Sequence, residues 1–570
     1  MVISLYNQLK SYQEVITRGD VLVLPRPVKV AFKGQFFRFQ NQVSLNSKLA
    51  NAAYFEWVTD DSASLQICHQ YDRALPADAF SLIVKSDQTI TIHSSNMRGF
   101  AYAQEALEKI IIQANNRLEI AQVSIKHSPS FQLRGVIEGF YGRPWTRAER
   151  KDCLQFLGQN RMNTYMYAPK NDDFLRKQWR DLYPDKWIAY FKELLAEART
   201  NQVDFWYMIS PGLDFDYCDP EDYQFLYQKL QQMIDLGVNR FGLLLDDIDY
   251  TIMENVEKYF QTTAFAQGHL VNQVFAYLKE KQALVDLVVC PTEYDNAFDS
   301  LYLKQLSEVI APEIPFFWTG PSTLASQISE ADADLIQQVY QRPIIIWDNI
   351  PVNDYQKDYQ RVFISPYANR SPHLANPNYQ VQGIVSNPMI NWELSKIILL
   401  DMSHYLWDAS HYEPASSFKE TLRTYMDSEV EANALEIFAY HNGNRHMHQD
   451  CPFAIFQAIK DKNISFLEAS LKELAKAGQL LKQSKNEAFV QSISPWLARL
   501  EEDLAFWQAI QESQSDLEKR YQAILQLPNR TGSDIAVRYY DTHVLKKTDD
   551  NQANVGLAQA KDYQKKLIQF

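Results

Sequence analysis

Two adjacent carboxylates, Asp246 and Asp247, close the apolar run Phe241-Gly242-Leu243-Leu244-Leu245. Side chains alternate faces along a strand, so two neighbours share one pocket only where the strand ends and twists. Carboxylates that close together cannot both ionise cheaply, so one is raised and can serve as an acid at neutral pH. Two other readings fit the same residues. The pair could cap a following helix, or could join Asp249 in a divalent-metal site.

The elements that position the pair recur with a regular beat. Apolar runs lie at Arg134–Phe140, Met162–Pro169, Val203–Pro211, Arg240–Asp247, Leu284–Pro291, Pro315–Gly320, Ile344–Asn349 and Gly383–Pro388. Between them, Arg147–Gln159, Trp187–Arg199, Gln224–Leu236 and Ser322–Tyr340 carry helical amphipathicity. This alternation predicts an α/β chain with a closed (β/α)8 TIM barrel rather than an open doubly wound sheet. Chemistry in such barrels sits at the C-terminal ends of the strands. There this chain keeps Glu138 to Gly142, Ala168 to Asp172, Asp246-Asp247, Cys290 to Tyr294, Trp318 to Gly320, Trp347 to Asn349 and Ser386 to Pro388.

The flanks read differently. Residues 1–127 mix β-like runs, Val21 to Leu24 and Thr89 to Ile92, with a helical stretch at Phe100–Gln113, predicting a small N-terminal α+β domain. Residues 128–410 are expected to form the barrel, closed by a helix at Leu394–Trp407. Residues 411–570 predict a C-terminal α-helical bundle, with long helices at Ile464–Gln483 and Ala488–Gln511. His441, His446 and His448 fall in that region without the spacing of a zinc motif, so a polar helix junction is expected.

Composition narrows the function classes. A chain of 570 residues exceeds one core. Its 56 basic and 70 acidic residues give a net charge of −14 without a long basic block, arguing against nucleic-acid or anionic-membrane partners. Tyrosines number 32 and tryptophans 11, which suits stacking on sugar rings or filling a large core. Cys68, Cys153, Cys218, Cys290 and Cys451 are odd in number and widely spaced, as reduced thiols are. Met1 to Asp20 lacks a secretory pattern and no run reaches membrane-span length, so a cytoplasmic location is expected.

The strand-end motifs together resemble glycoside hydrolase family 84, the β-N-acetylglucosaminidases that include O-GlcNAcase and enzymes once labelled hyaluronidases. The matching stretches are Gly135 to Trp145, Asn163 to Lys170, Asp246-Asp247, Pro291 to Tyr294, Trp318 to Pro321, Trp347 to Asn349 with Asn353 to Tyr355, and Ser386 to Pro388. They occur in the family's order across the barrel. The resemblance implies a retaining exo-hydrolase of terminal β-linked N-acetylglucosamine, acting on a glycoside or glycoprotein without metal or cofactor. In that mechanism the substrate's own acetamide oxygen attacks the anomeric carbon and forms an oxazoline, an exception to the usual carboxylate nucleophile.

By position in the family motifs, Asp246 orients the acetamide N–H and Asp247 is the general acid and base. Tyr294 supports the acetamide oxygen, Cys290 and Trp347 wall the N-acetyl pocket, and Asn349 lies near the acetamide and Asp246, fixing that carboxylate. The Gly139 carbonyl, Lys170, Asp354 and Asn387 hold sugar hydroxyls. Bland alternatives stand beside these: Lys170 paired with Asp172, Asp354 as a helix cap, Cys290 as a small core residue. Three function alternatives also stand: an endo-acting hyaluronidase-type hydrolase, hinted at only by the cluster Arg143, Arg147 and Arg150; a non-catalytic sugar-binding barrel; and a metal-dependent hydrolase. The oligomeric state is open.

Overall fold

The computed structural model describes residues 29–39, 42–45, 56–58, 65–85, 89–114, 117–248, 254–295, 298–447 and 452–547. The run Val21 to Leu24 and residues Asp249, His448 and Cys451, singled out above, lie outside them. The described residues belong to two compact units, one within 1–134 and 403–412, the other within 135–402 and 413–570.

The first unit holds β1 (Lys29–Phe39), β2 (Gln42–Leu45), β3 (Glu56–Val58), β4 (Leu65–Tyr71), β5 (Phe80–Val84), β6 (Thr89–Ser94), β7 (Ile111–Ala114) and β8 (Arg117–His127). They form one mixed sheet in the order β1-β8-β5-β6-β4-β2-β3, with β7 on β8. The helix Met97–Ile110 buries Phe100, Ala103, Ala106, Leu107 and Ile110 in a core with Leu82, Ile90, Ile92 and Ile125. Periodicity alone carries this helix to Gln113, but it stops at Ile110. The β-branched run Ile110-Ile111-Ile112 is stiff in a helix, and from Ile111 the chain pairs antiparallel with β8 instead.

In the second unit, β9 (Leu133–Glu138), β10 (Thr164–Tyr167), β11 (Asp204–Ile209), β12 (Arg240–Leu244), β13 (Asp286–Cys290), β14 (Phe316–Trp318), β15 (Ile344–Asp348) and β16 (Val381–Ser386) close into a parallel barrel. All eight predicted runs supply a strand; seven strands are shorter than their runs, and β16 matches its run in length but begins two residues earlier. Every residue of β10 and β15 is buried, which is why these strands read as unbroken apolar runs rather than alternating ones. The helix Arg147–Gln159 starts at a reciprocal cap between Thr146 and Glu149. The predicted helix over Ser322–Tyr340 forms only from Glu330, where Ser329 and Asp332 cap each other. Residues 322–328 stay in a loop, and that loop reaches the strand ends.

The helices Pro414–Tyr425, Glu429–His441, Ile464–Leu481 and Glu487–Gln511 share one apolar core with Val362, Phe363, Ile364, Leu394 and Ile397. Polar contacts hold the loop after β15 to the same helices. Asp358 accepts from Arg445 Nε and His446 Nε2, both at 2.8 Å, and Trp496 Nε1 donates to the Gln360 carbonyl at 3.0 Å. His441 Nδ1 meets Ser533 Oγ at 2.9 Å, so the two described histidines serve separate parts of a polar junction. Among the described residues no helix is long and apolar enough to cross a membrane.

Beneath the strand ends, Asp348 at the end of β15 is buried against Arg370, with Oδ1 to Nη2 at 2.7 Å, Oδ2 to Nε at 2.8 Å and the Tyr367 hydroxyl on Oδ2 at 2.7 Å. Removing one partner of a buried pair strands the other charge. Arg370→Met is therefore expected to lower stability by about 3–5 kcal/mol in urea denaturation. A loss under about 1 kcal/mol would show that Tyr367 alone satisfies Asp348.

Candidate active site

The chain continues the β12 ladder for one residue past the strand, the Leu245 N–H donating to the Cys290 carbonyl at 2.9 Å. It then turns sharply, Asp247 taking φ +53°. A non-glycine residue seldom adopts this left-handed conformation, although aspartate tolerates it better than most. The turn brings two sequence neighbours to one set of partners: Lys170 Nζ, at the end of β10, lies 2.7 Å from Asp246 Oδ2 and 3.8 Å from Asp247 Oδ2.

The two carboxylates have different surroundings. Asp246 is buried, and among the described residues no other donates to its Oδ1. Burial pushes its carboxyl up, but Lys170 and then Arg176 outweigh that and hold it below the ordinary carboxylate value. Lys170 itself is held above its usual range, burial being outweighed by Asp246, Tyr141 and Asp247. Asp247 is more open and accepts from two phenols, Tyr141 Oη on Oδ2 at 2.7 Å and Tyr294 Oη on Oδ1 at 3.1 Å. Burial raises Tyr141 to about 12, and Asp247 adds to that while Lys170 and Arg176 pull it back.

The other singled-out residues stand at the same rim. Trp347 Nε1 donates to Asn349 Oδ1 at 3.0 Å, and the Lys170 ammonium lies 5.7 Å from the Trp347 ring centre. Asn387 Nδ2 also donates to Asn349 Oδ1, at 2.9 Å, and Asn387 Oδ1 accepts from the Gly139 N–H at 3.3 Å. A Cβ on Gly139 would lie 2.4 Å from Trp347 Cζ2, so only glycine lets that indole close against the end of β9. Cys290 ends β13 buried, and burial raises its thiol, with Asp246 adding to the effect. Asp354 Oδ2 accepts from the Tyr141 N–H at 2.7 Å, and burial pushes its carboxyl up to about 6.

Several open alternatives now have answers. Lys170 pairs with Asp246, whereas Asp172 accepts from the hydroxyls of Tyr167 and Tyr183 at 2.9 and 2.8 Å. Asp354 caps no helix. Asn349 does not hold Asp246: its amide donates to the Thr323 carbonyl at 2.7 Å, in the 322–328 loop, and Lys170 holds the carboxylate instead. The basic cluster is matched residue for residue, Arg143 by Glu149 at 2.9 Å, Arg147 by Glu193 at 3.6 Å and Arg150 by Glu138 at 2.7 Å. Among the described residues no three of His, Cys, Asp and Glu gather as metal ligands.

Tyr141 and Arg176 carry no role in the sequence reading, yet both touch Asp247. Arg176 donates to the Asp247 carbonyl at 2.8 Å and to Tyr141 Oη at 3.1 Å. The signals for Tyr141 are its place just past β9 and within the family stretch Gly135 to Trp145. For Arg176 the signal is a positive charge in the loop after Lys170.

Comparison with known proteins places the chain in a family. Residues 134–440 match the family described as beta-N-acetylglucosaminidase. Over 273 residues, 47% of this chain and 29% of the relative, the sequence is 35% identical to protein O-GlcNAcase of Rattus norvegicus, and the Mus musculus protein gives the same figures. The chain thus spans less than a third of the length of the curated relatives it matches. An O-GlcNAc hydrolase variant of Thermobaculum terrenum superposes with TM-score 0.65 at 28% identity, over 72% of this chain and 94% of that one. The structure of CpGH84B superposes with TM-score 0.78 over 92% of this chain and 100% of that one, and at 23% identity it speaks to the fold alone.

The Lys170–Asp246 pair makes a signed prediction. A carboxyl lowered on folding adds stability above its unfolded value near 3.8, which is lost as pH falls through the lower folded value. In Lys170→Met burial loses its main opponent, so Asp246 is expected to titrate at higher pH than in the native protein. NMR titration of labelled aspartate reads this directly, and an unmoved Asp246 midpoint would contradict the assigned cause.

Proposed function

Since the chain belongs to the beta-N-acetylglucosaminidase family, identified above by its resemblance to glycoside hydrolase family 84, we propose that it is an exo-acting, retaining hydrolase of terminal β-linked N-acetylglucosamine. Its substrate is a glycoside or glycoprotein carrying that sugar, and the reaction runs by substrate assistance. The acetamide oxygen attacks the anomeric carbon while the bond to the leaving oxygen breaks, and Asp247 gives that oxygen its proton. Asp246 accepts the acetamide N–H and stabilises the positive charge as the oxazoline forms. Asp247, now a carboxylate, takes a proton from water as the water oxygen attacks the anomeric carbon from the face the aglycone left, and the bond from that carbon to the oxazoline oxygen breaks to restore the acetamide. Two displacements restore the starting configuration.

One observation carries the reading. Asp246 Oδ2 is taken up by Lys170, which keeps the group ionised, while Oδ1 is buried with no donor from another described residue. That leaves a charged acceptor in a low-dielectric pocket, suited to an N–H whose acidity grows as the acetamide oxygen attacks. Asp247, more exposed and held by two phenols, is suited to exchanging a proton with the leaving group and then with water.

For the remaining residues the proposed roles follow the family positions. Trp347 and Cys290 wall the N-acetyl group; Tyr294 supports its oxygen; Asn349 lies near the acetamide; Gly139, Lys170, Asp354 and Asn387 bind the sugar hydroxyls. A polyanion-cleaving endo-hydrolase is disfavoured by the charge of −14 and by the glutamate partner of each clustered arginine. A purely sugar-binding barrel has no use for two carboxylates kept in such different surroundings.

Initial rates on paired aryl β-N-acetylglucosaminide and aryl β-glucoside test the proposal. Cleavage of the acetamido sugar alone, unchanged by a chelator, is expected. Equal cleavage of both sugars would rule out substrate assistance, and chelator sensitivity would return the metal-dependent reading.

A further inference from the structure

Arg176 follows a short 3-10 turn, Asp173–Leu175, that is anchored on three sides. Asp172 accepts from the Phe174 N–H at 3.0 Å and from the hydroxyls of Tyr167 and Tyr183. The Leu175 carbonyl accepts from the Ser210 N–H at 2.9 Å, and the Arg176 N–H donates to the Asp173 carbonyl at 3.1 Å. The guanidinium therefore extends from a fixed stem toward Asp247.

There it makes two contacts with different consequences. Nη2 donates to the Asp247 carbonyl at 2.8 Å, holding a peptide whose φ of +53° is disfavoured for any residue with a side chain. Nη1 donates to Tyr141 Oη at 3.1 Å, so the single phenol proton is left to point at Asp247 Oδ2, 2.7 Å away. A charged donor on the phenol oxygen also polarises that O–H and strengthens its bond to the carboxylate. One planar fork thus governs both the backbone and the side chain of Asp247, a task that lysine's single ammonium cannot share between two acceptors in fixed directions.

The geometry points to Arg176 as a positioning residue for proton transfer: it fixes Asp247 through the carbonyl directly and through Tyr141 at the carboxylate. This inference rests on the reading of Asp247 as the general acid and base. Arg176 itself touches no reacting atom in that reading, and Lys170 is the larger counter-charge that keeps Asp246 ionised, so loss of Arg176 is felt mainly in protonation of the leaving group and not in sugar binding.

The test is a series of aryl β-N-acetylglucosaminides of graded leaving-group acidity, applied to native protein, Asp247→Asn, Arg176→Met, Arg176→Lys and Tyr141→Phe. Asp247→Asn supplies the signature of lost protonation, a steeper dependence in which poor leaving groups suffer most. Arg176→Met is expected to reproduce that steepening, with kcat down about a hundredfold on the poorest leaving group, little change on the best, and KM nearly constant. Arg176→Lys is expected to resemble Arg176→Met, and the Arg176→Met/Tyr141→Phe double variant to lose less than the product of its singles. An equal loss on every leaving group, or full rescue by lysine, overturns the positioning role while the activity stands. Native protein that cleaves none of the series overturns the proposed function and this inference with it. Melting curves identify a variant that fails to fold; if Arg176→Met does so, Tyr141→Phe decides, and no steepening there overturns the inference.

Discussion

The site depends on one buried ion pair, Lys170 with Asp246. Neither charge is cheap to bury, since each gives up its hydration, and the pair is sustained only because each is the other's main counter-charge. It draws the ends of β10 and β12 into a single floor and sets the protonation of Asp246. It also leaves one oxygen of that carboxylate open. Asp247, Tyr141 and Arg176 are arranged around the pair, and their network ends in the same lysine, which is 3.8 Å from Asp247 Oδ2.

Asp354 connects this centre to the rest of its compact unit. Its carboxylate holds the Tyr141 backbone, Tyr141 holds Asp247, and the loop that carries Asp354 is tied through Asp358 and Gln360 to the C-terminal helices. Those helices share an apolar core with Val362, Phe363 and Ile364 of the same loop and with Leu394 and Ile397 of the helix after β16, so a loop that follows β15 is braced by chain more than a hundred residues later. Asp348, between Trp347 and Asn349 in the chain, is buried with Arg370, which also donates to the Ala325 carbonyl and so ties the 322–328 loop to the end of β15.

Much of this was legible in the sequence, for a physical reason. Parallel strands buried on both faces leave unbroken apolar runs, and the polar residues that follow each run mark the functional end of the barrel. The Asp246-Asp247 pair and the rim positions Gly139, Lys170, Cys290, Tyr294, Trp347, Asn349, Asp354 and Asn387 follow from that pattern and the family motifs. What stayed hidden depends on loops. Tyr141 and Asp247 meet across 106 residues of sequence, and nothing local in either segment encodes their contact. The same holds for Asn349, whose partner is Thr323 because the chain before Ser329 fails to form helix. The helix from Met97 ended early for a related reason, a competing strand partner that periodicity does not see.

The central claim is that the substrate's acetamide, polarised by Asp246, is the nucleophile. Native rates on aryl glycosides whose acetamido group carries successively more fluorine measure this directly, since fluorine weakens the acetamide oxygen while leaving the scissile bond untouched. The account predicts a steep fall in kcat with each added fluorine. A flat series would contradict it and assign the first displacement to a group on the protein or to water.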